Sequence, residues 1–173
     1  MKAKTIHIKT VTDQRGSLSF LENSVTGGEI PFRYKRVFWI YNVPEGAERG
    51  GHAHCTCSEL FIAVHGTCDI ELNDGVTTAV VHLCSPDKAV EIPAMTWCRL
   101  YNFSTDFVGL CLASQHYTSS GYIHDFERFV QEARSREAEK AAKDTGKAQE
   151  YAFKRMFFML NFLKIKLIYS TLL

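Results

Sequence analysis

No glycine-rich phosphate loop follows any apolar run of this chain, so neither a dinucleotide-binding βαβ unit nor a nucleoside-triphosphate loop is readable in it. No charge of one sign prevails: 20 Lys and Arg stand against 19 Asp and Glu, a formal net charge of +1. That balance speaks for neither nucleic acid nor an acidic partner. Long hydrophobic runs are missing too. The longest uncharged run of the C-terminal segment, Met156 to Leu163, falls short of the roughly 18–20 residues of a bilayer span. The opening Met-Lys-Ala-Lys-Thr-Ile-His lacks the apolar core of a secretory signal, so a cytoplasmic protein is expected. The six cysteines (55, 57, 68, 84, 98, 111) form no disulfide framework, and several sit inside apolar runs, as buried free thiols of a reducing compartment do. Cys55-Thr-Cys57 has donors for a soft metal, but no second pair stands at zinc-site spacing.

What is present fits one folded domain with an appendage. The 173 residues are 46% hydrophobic and 12% aromatic, enough for a single core. Residues 1 to about 125 read as many short strands. Val37 to Val43 and Leu60 to Val64 are short apolar runs suited to strands buried on both faces. Cys68 to Leu72 alternates, Asn73-Asp-Gly75 signals a hairpin turn, and Val76 to Leu83 returns. Glu91-Ile-Pro93 and Phe107 to Ala113 add further strands, and the spacing suggests a sandwich or barrel.

From Asp125 the period changes. Phe126, Phe129, Val130 and Ala133 fall at helical spacing, and this helix is expected to pack on the β-rich body. Residues 134 to 150 are charged and Ala-rich, as in a solvated helix. Residues 151 to 173 carry Met156-Phe-Phe-Met-Leu160 and Phe162-Leu163 with Lys164 and Lys166 interleaved. Packing is the default role of that segment; an amphipathic arm touching a membrane, an arm for a partner subunit and a non-native extension stay open. The expected division is a domain of residues 1–133 and an extension of residues 134–173 of unknown role.

The chemistry lies in Gly46-Ala-Glu-Arg-Gly-Gly-His52-Ala-His54, followed by Glu59 and Gly66. Strand side chains alternate with period two, so His52 and His54 point to one face. Two imidazoles aimed into an enclosed space can bind a metal, move protons, or both.

The spacing Gly46-x5-His52-x-His54-x4-Glu59-x6-Gly66 is similar to the first motif of the cupin superfamily without departure. The second cupin motif is matched at Pro93 and Asn102, but Met95 and Cys98 stand where Gly and a ligand His are usual. With that His missing, the reading is a metal-free, cofactor-free site whose histidines do acid–base work. A narrower set of segments resembles the nucleotide-sugar 3,4-ketoisomerases. They include Asp13-Gln-Arg15-Gly-Ser-Leu18, Lys35-Arg-Val37, Arg49 to His54, Asn102-Phe-Ser104 and Tyr122-Ile123. The resemblance runs from about residue 5 to 130. It implies an all-β, jelly-roll-like cupin barrel with a C-terminal helical extension. It also implies a homodimer, usually with exchanged N-terminal strands, and the substrate dTDP-4-keto-6-deoxyglucose. The product would be a 3-keto isomer for the synthesis of 3-amino-3,6-dideoxy sugars.

Moving a ketone from C4 to C3 needs one proton taken from C3 and one returned to C4 through an enediol. Histidine does both near neutrality, with an unperturbed pKa of about 6.5. His52 is assigned as base on C3 and His54 as its relay or the acid at the oxygen; the reverse order stays open. A diphosphate is best held by guanidinium groups. Arg15 resembles the family's active-site arginine and is expected to reach the ligand, across the dimer or within the subunit. Arg49 is the next candidate, with a buried pairing to Glu59 or a carbonyl as its structural alternative. Arg99 and Arg36 have weaker claims, with surface placement their default. Trp97 and Tyr101 are candidates to pack on base or sugar, though core packing is the commoner use of such aromatics.

Two departures from the family bear on the site. Phe38-Trp39 stands where members commonly carry Tyr-Tyr, so no phenol comes from position 38. Cys98 stands, near the sugar, where members carry His or Arg. Arg15 at its position leans the product towards an axial C4 hydroxyl. The competing readings are an epimerase or metal-dependent cupin enzyme and a non-catalytic sugar-binding cupin.

Overall fold

A computed structural model of the chain describes residues 3–22, 30–146 and 149. It divides into two units, Met1–Ala133 and Arg134–Leu173. In the second unit, residues 134–146 are helical with every side chain exposed. The apolar, lysine-interleaved segment 151–173 lies outside the described residues. Among the described residues no helix is long and apolar enough to cross a membrane.

The first unit is built from short antiparallel strands. They are β1 (Lys4–His7), β2 (Lys9–Asp13), β3 (Gly16–Phe20), β4 (Arg36–Tyr41), β5 (Arg49–His54) and β6 (Glu59–His65), followed by β7 (Cys68–Asn73), β8 (Thr78–Leu83), β9 (Lys88–Ile92), β10 (Trp97–Tyr101), β11 (Val108–Ala113) and β12 (Tyr122–Ile123). One sheet has the order β1-β9-β6-β11-β4, the other β12-β5-β10-β7-β8, and β2 with β3 forms a separate hairpin. This is the all-β, jelly-roll-like arrangement expected from the sequence, with one correction. The two sheets face each other as an open sandwich and are not hydrogen-bonded into a closed barrel.

The core between the sheets contains Phe61, Ile70, Leu72, Leu83, Val90, Leu100 and Phe107, all buried. Strand β6 shows why its run is apolar throughout. Phe61 and Ala63 enter the central core, whereas Leu60 and Ile62 enter a second cluster with Ile8, Ile30, Ala89 and Leu112. A strand covered on both faces has no use for alternation.

A third cluster covers the outer face of the second sheet. Phe126, Phe129, Val130 and Ala133 open a helix over 126–133, and Phe129 is fully buried against Ala53 and Ile123. Burial of a side chain this size contributes about 1.5–3 kcal/mol. The Asn73-Asp74-Gly75 turn passes beneath this helix. Gly75 has φ of 91°, and a Cβ there would sit 2.7 Å from that of Ala133. The turn thus requires glycine twice, for its backbone and for the approach of the helix.

Candidate active site

The site grows from a β-bulge in β5. Across the β5–β10 ladder, His52 is paired with Cys98 and Gly50 with Arg99, and Gly51 is the extra residue between them. Both glycines have left-handed φ, 81° at Gly50 and 69° at Gly51. Gly50 also meets its neighbour closely, since a Cβ on it would lie 2.5 Å from the Cys98 carbonyl oxygen. The bulge turns the Gly50 carbonyl toward the His52 ring, 3.1 Å from Nδ1. A carbonyl only accepts, so His52 Nδ1 carries the hydrogen and Nε2 keeps its lone pair.

His54 follows on the same face. It is 6% exposed, and its Nε2 stands 3.2 Å from Oε1 of Glu59, itself 7% exposed, at the start of β6. The same carboxylate oxygen is 3.6 Å from an Nη of Arg36, the first residue of β4. Arg36 is itself largely buried, stacks over Phe38 and Tyr117, and lines a small pocket with His54 and Tyr122. Its Nε has no partner among the described residues.

The ring centroids of His52 and His54 are 5.0 Å apart. Tyr122, on β12, lies 4.3 Å from His54 and 4.9 Å from His52. His124 stacks on Tyr122 at 5.6 Å with the rings 2° from parallel. His52, His54, Glu59 and Tyr122 border a cavity of about 120 Å³ whose other walls include Phe38, Ile40, Phe61, Ile92 and Leu100. One polar side, made of imidazoles, carboxylate and phenol, therefore faces an apolar one.

Burial, and then the neighbouring His54, press the His52 pKa below its ordinary value, while the Gly50 carbonyl and Glu59 oppose the shift. His52 is thereby kept neutral, with an open nitrogen, as a base must be. The Cys98 thiol also faces the cavity, and burial drives its pKa far above the ordinary value. It is a neutral, small wall residue and not a thiolate. Among the described residues, no three His, Cys, Asp or Glu side chains are placed to hold a metal ion.

Residues 1–134 match the family model described as FdtA: WxcM-like, C-terminal. The chain belongs to that family. A family relative, a TDP-4-oxo-6-deoxy-alpha-D-glucose-3,4-oxoisomerase of Aneurinibacillus thermoaerophilus, is 33% identical over 129 residues, covering 75% of this chain and 91% of the relative. A crystal structure of a 3,4-ketoisomerase from Helicobacter canadensis superimposes with a TM-score of 0.72 at 35% identity, over 78% of this chain and 98% of that one. QdtA, a sugar 3,4-ketoisomerase of Thermoanaerobacterium thermosaccharolyticum solved with TDP, gives 0.73 at 28% identity, over 78% and 96%.

In this family member the residues singled out from the sequence do not all gather. His52, His54, Glu59 and Cys98 line the cavity. Arg49 is exposed and borders a neighbouring open cleft with Trp39, Tyr41, Ile40 and Gly50; the last two also line the cavity. The carboxylate of Glu59 takes Arg36 as its guanidinium partner, and Arg49 is not in that pairing. Arg99 points away from the cavity, bonded to Glu71 and Glu48 and stacked on Tyr101. Trp97 faces the helix, with ring centroids 5.1 Å from Phe126 and 5.7 Å from Phe129. Arg15 sits on the exposed β2–β3 turn, held by Asp13 at 2.5 Å. It does not line the cavity. Conversely, Tyr122 and His124 were not singled out as site residues, and Arg36 had only a weak claim. Among the described residues no cysteine is in a disulfide.

Proposed function

We propose that the chain is a nucleotide-sugar 3,4-ketoisomerase that converts dTDP-4-keto-6-deoxyglucose into its 3-keto isomer. The observation that carries the reading is the His52 ring, its Nδ1 committed to the Gly50 carbonyl, beside the cavity. Nε2 of His52 removes the C3 proton and later delivers one to C4. His54, anchored by Glu59, stands 5.0 Å behind as the relay or the acid at the oxygen. Both ends of the transfer are carbons of one substrate, so no redox cofactor enters the balance. The apolar wall holds the sugar's carbon skeleton and keeps water from the enediol.

The nucleotide half extends from the cavity into the cleft that shares Ile40 and Gly50 with it. Arg49 there offers a guanidinium to the diphosphate, and Trp39 and Tyr41 offer rings to the base. The active form is a cytoplasmic homodimer. Val11 and Leu18 on the hairpin and Val37 on β4 are exposed apolar residues that a second copy would cover. Across that interface Arg15 reaches the partner's substrate. With Arg15 in place, the product carries an axial C4 hydroxyl.

The test is NMR of the product formed from dTDP-4-keto-6-deoxyglucose in deuterated water. A 3-keto product, lost with His52→Ala and with His54→Ala, is the expected result. Unchanged substrate with the wild-type protein would reject the reading.

A further inference from the structure

We propose that the Tyr122 phenol is the proton carrier at the substrate's two oxygens, and that Arg36 positions it there. The inference rests on the ketoisomerase reading and deepens it. An enediol route handles protons at carbon and at oxygen separately. His52 serves the carbons. For the oxygens the cavity offers one hydroxyl among its described lining residues, that of Tyr122; position 38 is Phe. The Tyr122 ring lies against both imidazoles, at 4.3 and 4.9 Å. Its register partner across the β5–β12 ladder is His54. His54 is already occupied, because its Nε2 faces Glu59 at 3.2 Å.

Arg36 fixes the phenol from behind. It borders a second small pocket together with Tyr122 and His54 and also faces Glu59 at 3.6 Å, so the phenol and the carboxylate that anchors His54 adjoin one guanidinium. A guanidinium at this place offsets negative charge on the phenol oxygen between the two halves of the reaction.

The balance is complete without another reactant. His52 Nε2 takes the C3 proton, and the C–H electron pair becomes the C3–C4 double bond. The carbonyl π pair moves to O4, which takes the phenolic proton. The result is an enediol, an imidazolium and a tyrosinate. The tyrosinate then takes the proton from O3, the O–H pair forms the C3 carbonyl, and the double-bond pair takes the imidazolium proton at C4. O3 and O4 are on adjacent carbons, so one phenol oxygen serves both, and phenol and imidazole end as they began.

The experiment is steady-state kinetics on dTDP-4-keto-6-deoxyglucose for wild type, Tyr122→Phe, Arg36→Lys and the double variant, with thermal unfolding and TDP titration as controls. Tyr122→Phe keeps the packed ring and removes only the oxygen. We expect kcat to fall by about 10²-fold or more, the usual contribution of a general acid, with KM and TDP affinity within about threefold of wild type. Arg36→Lys is expected to lower kcat in the wild-type background and to change it less than about twofold in the Tyr122→Phe background, since it acts through the phenol. A Tyr122→Phe loss below about tenfold overturns the phenol's role. Equal fold-losses from Arg36→Lys in both backgrounds overturn the positioning role. If wild type itself leaves the substrate unchanged, the ketoisomerase reading falls and this inference with it; if wild type turns over, only the variants decide.

Discussion

Replacing Gly50 by alanine separates two costs that its neighbour Gly51 does not share. Both residues hold left-handed backbone, which costs an L-residue about 1–2 kcal/mol. At Gly51 a Cβ meets nothing within 4 Å, so Gly51→Ala should lose only that amount. At Gly50 the Cβ would lie 2.5 Å from the Cys98 carbonyl oxygen, 3.2 Å from its carbon and 3.3 Å from the Arg99 Cα. All three are backbone atoms, so the strain cannot be relieved by a rotamer change. Overpacking of this kind adds about 1–3 kcal/mol, for a total of about 2–5 kcal/mol. With a urea m-value of about 2 kcal/mol/M, the two variants should differ in midpoint by about 0.5–1.5 M. The backbone shift also moves the carbonyl that fixes the His52 tautomer. Gly50→Ala should therefore lose kcat under conditions where it is fully folded, and Gly51→Ala much less. Coincident urea curves for the two variants, or wild-type kcat in Gly50→Ala, would refute the role given to this close approach.

Further outcomes are expected elsewhere. Because His52 is held below its ordinary pKa, the acid limb of kcat/KM should lie below pH 6.5, and His52→Asn should leave no such limb; a limb above 6.5 contradicts the site. The same shift has a sign for stability. The unfolded imidazole takes up a proton first, so the His52 contribution is complete above pH 6.5 and declines as pH falls below it, which denaturation midpoints between pH 7 and 5 would register. Trp97→Ala should cost about 2–3 kcal/mol by unpacking Phe126 and Phe129 from the sheet. Its folded form should retain wild-type KM, and a large KM increase would return Trp97 to the substrate. In alkylation of the native protein at pH 8, the exposed Cys84 should react ahead of the buried Cys98, read by mass spectrometry of the modified peptides.

The histidine pair was legible because its spacing equals the period of a strand, and the strand exists. The parity of β10 was equally legible and went unused. Once Cys98 occupies the inward position of the second motif, Trp97 and Arg99 must point to the other face. Choosing all three as substrate contacts ignored that constraint. Tyr122 lay beyond such reasoning, because β12 is two residues long and carries no periodic signal. Only the ladder to His54 brings the phenol in from 68 positions away along the chain. Arg36 looked like surface because arginine is seldom buried unless paired, and its partner, Glu59, is distant in sequence. The open sandwich replaced the barrel for a related reason: strand count and spacing do not say whether the edges β4, β1, β8 and β12 meet.

Strand β6 is apolar toward both of its neighbours, so greasiness cannot tell the folding chain which way round it lies. A slip by one residue would exchange Leu60 and Ile62 for Phe61 and Ala63 and still leave every one of them out of water. Glu59 is the mark that breaks the tie. Shifted one step, its carboxylate would leave His54 and Arg36 and enter the outer oily layer unaccompanied. The residue that tethers an imidazole in the finished enzyme is thus also the index by which the central strand finds its alignment.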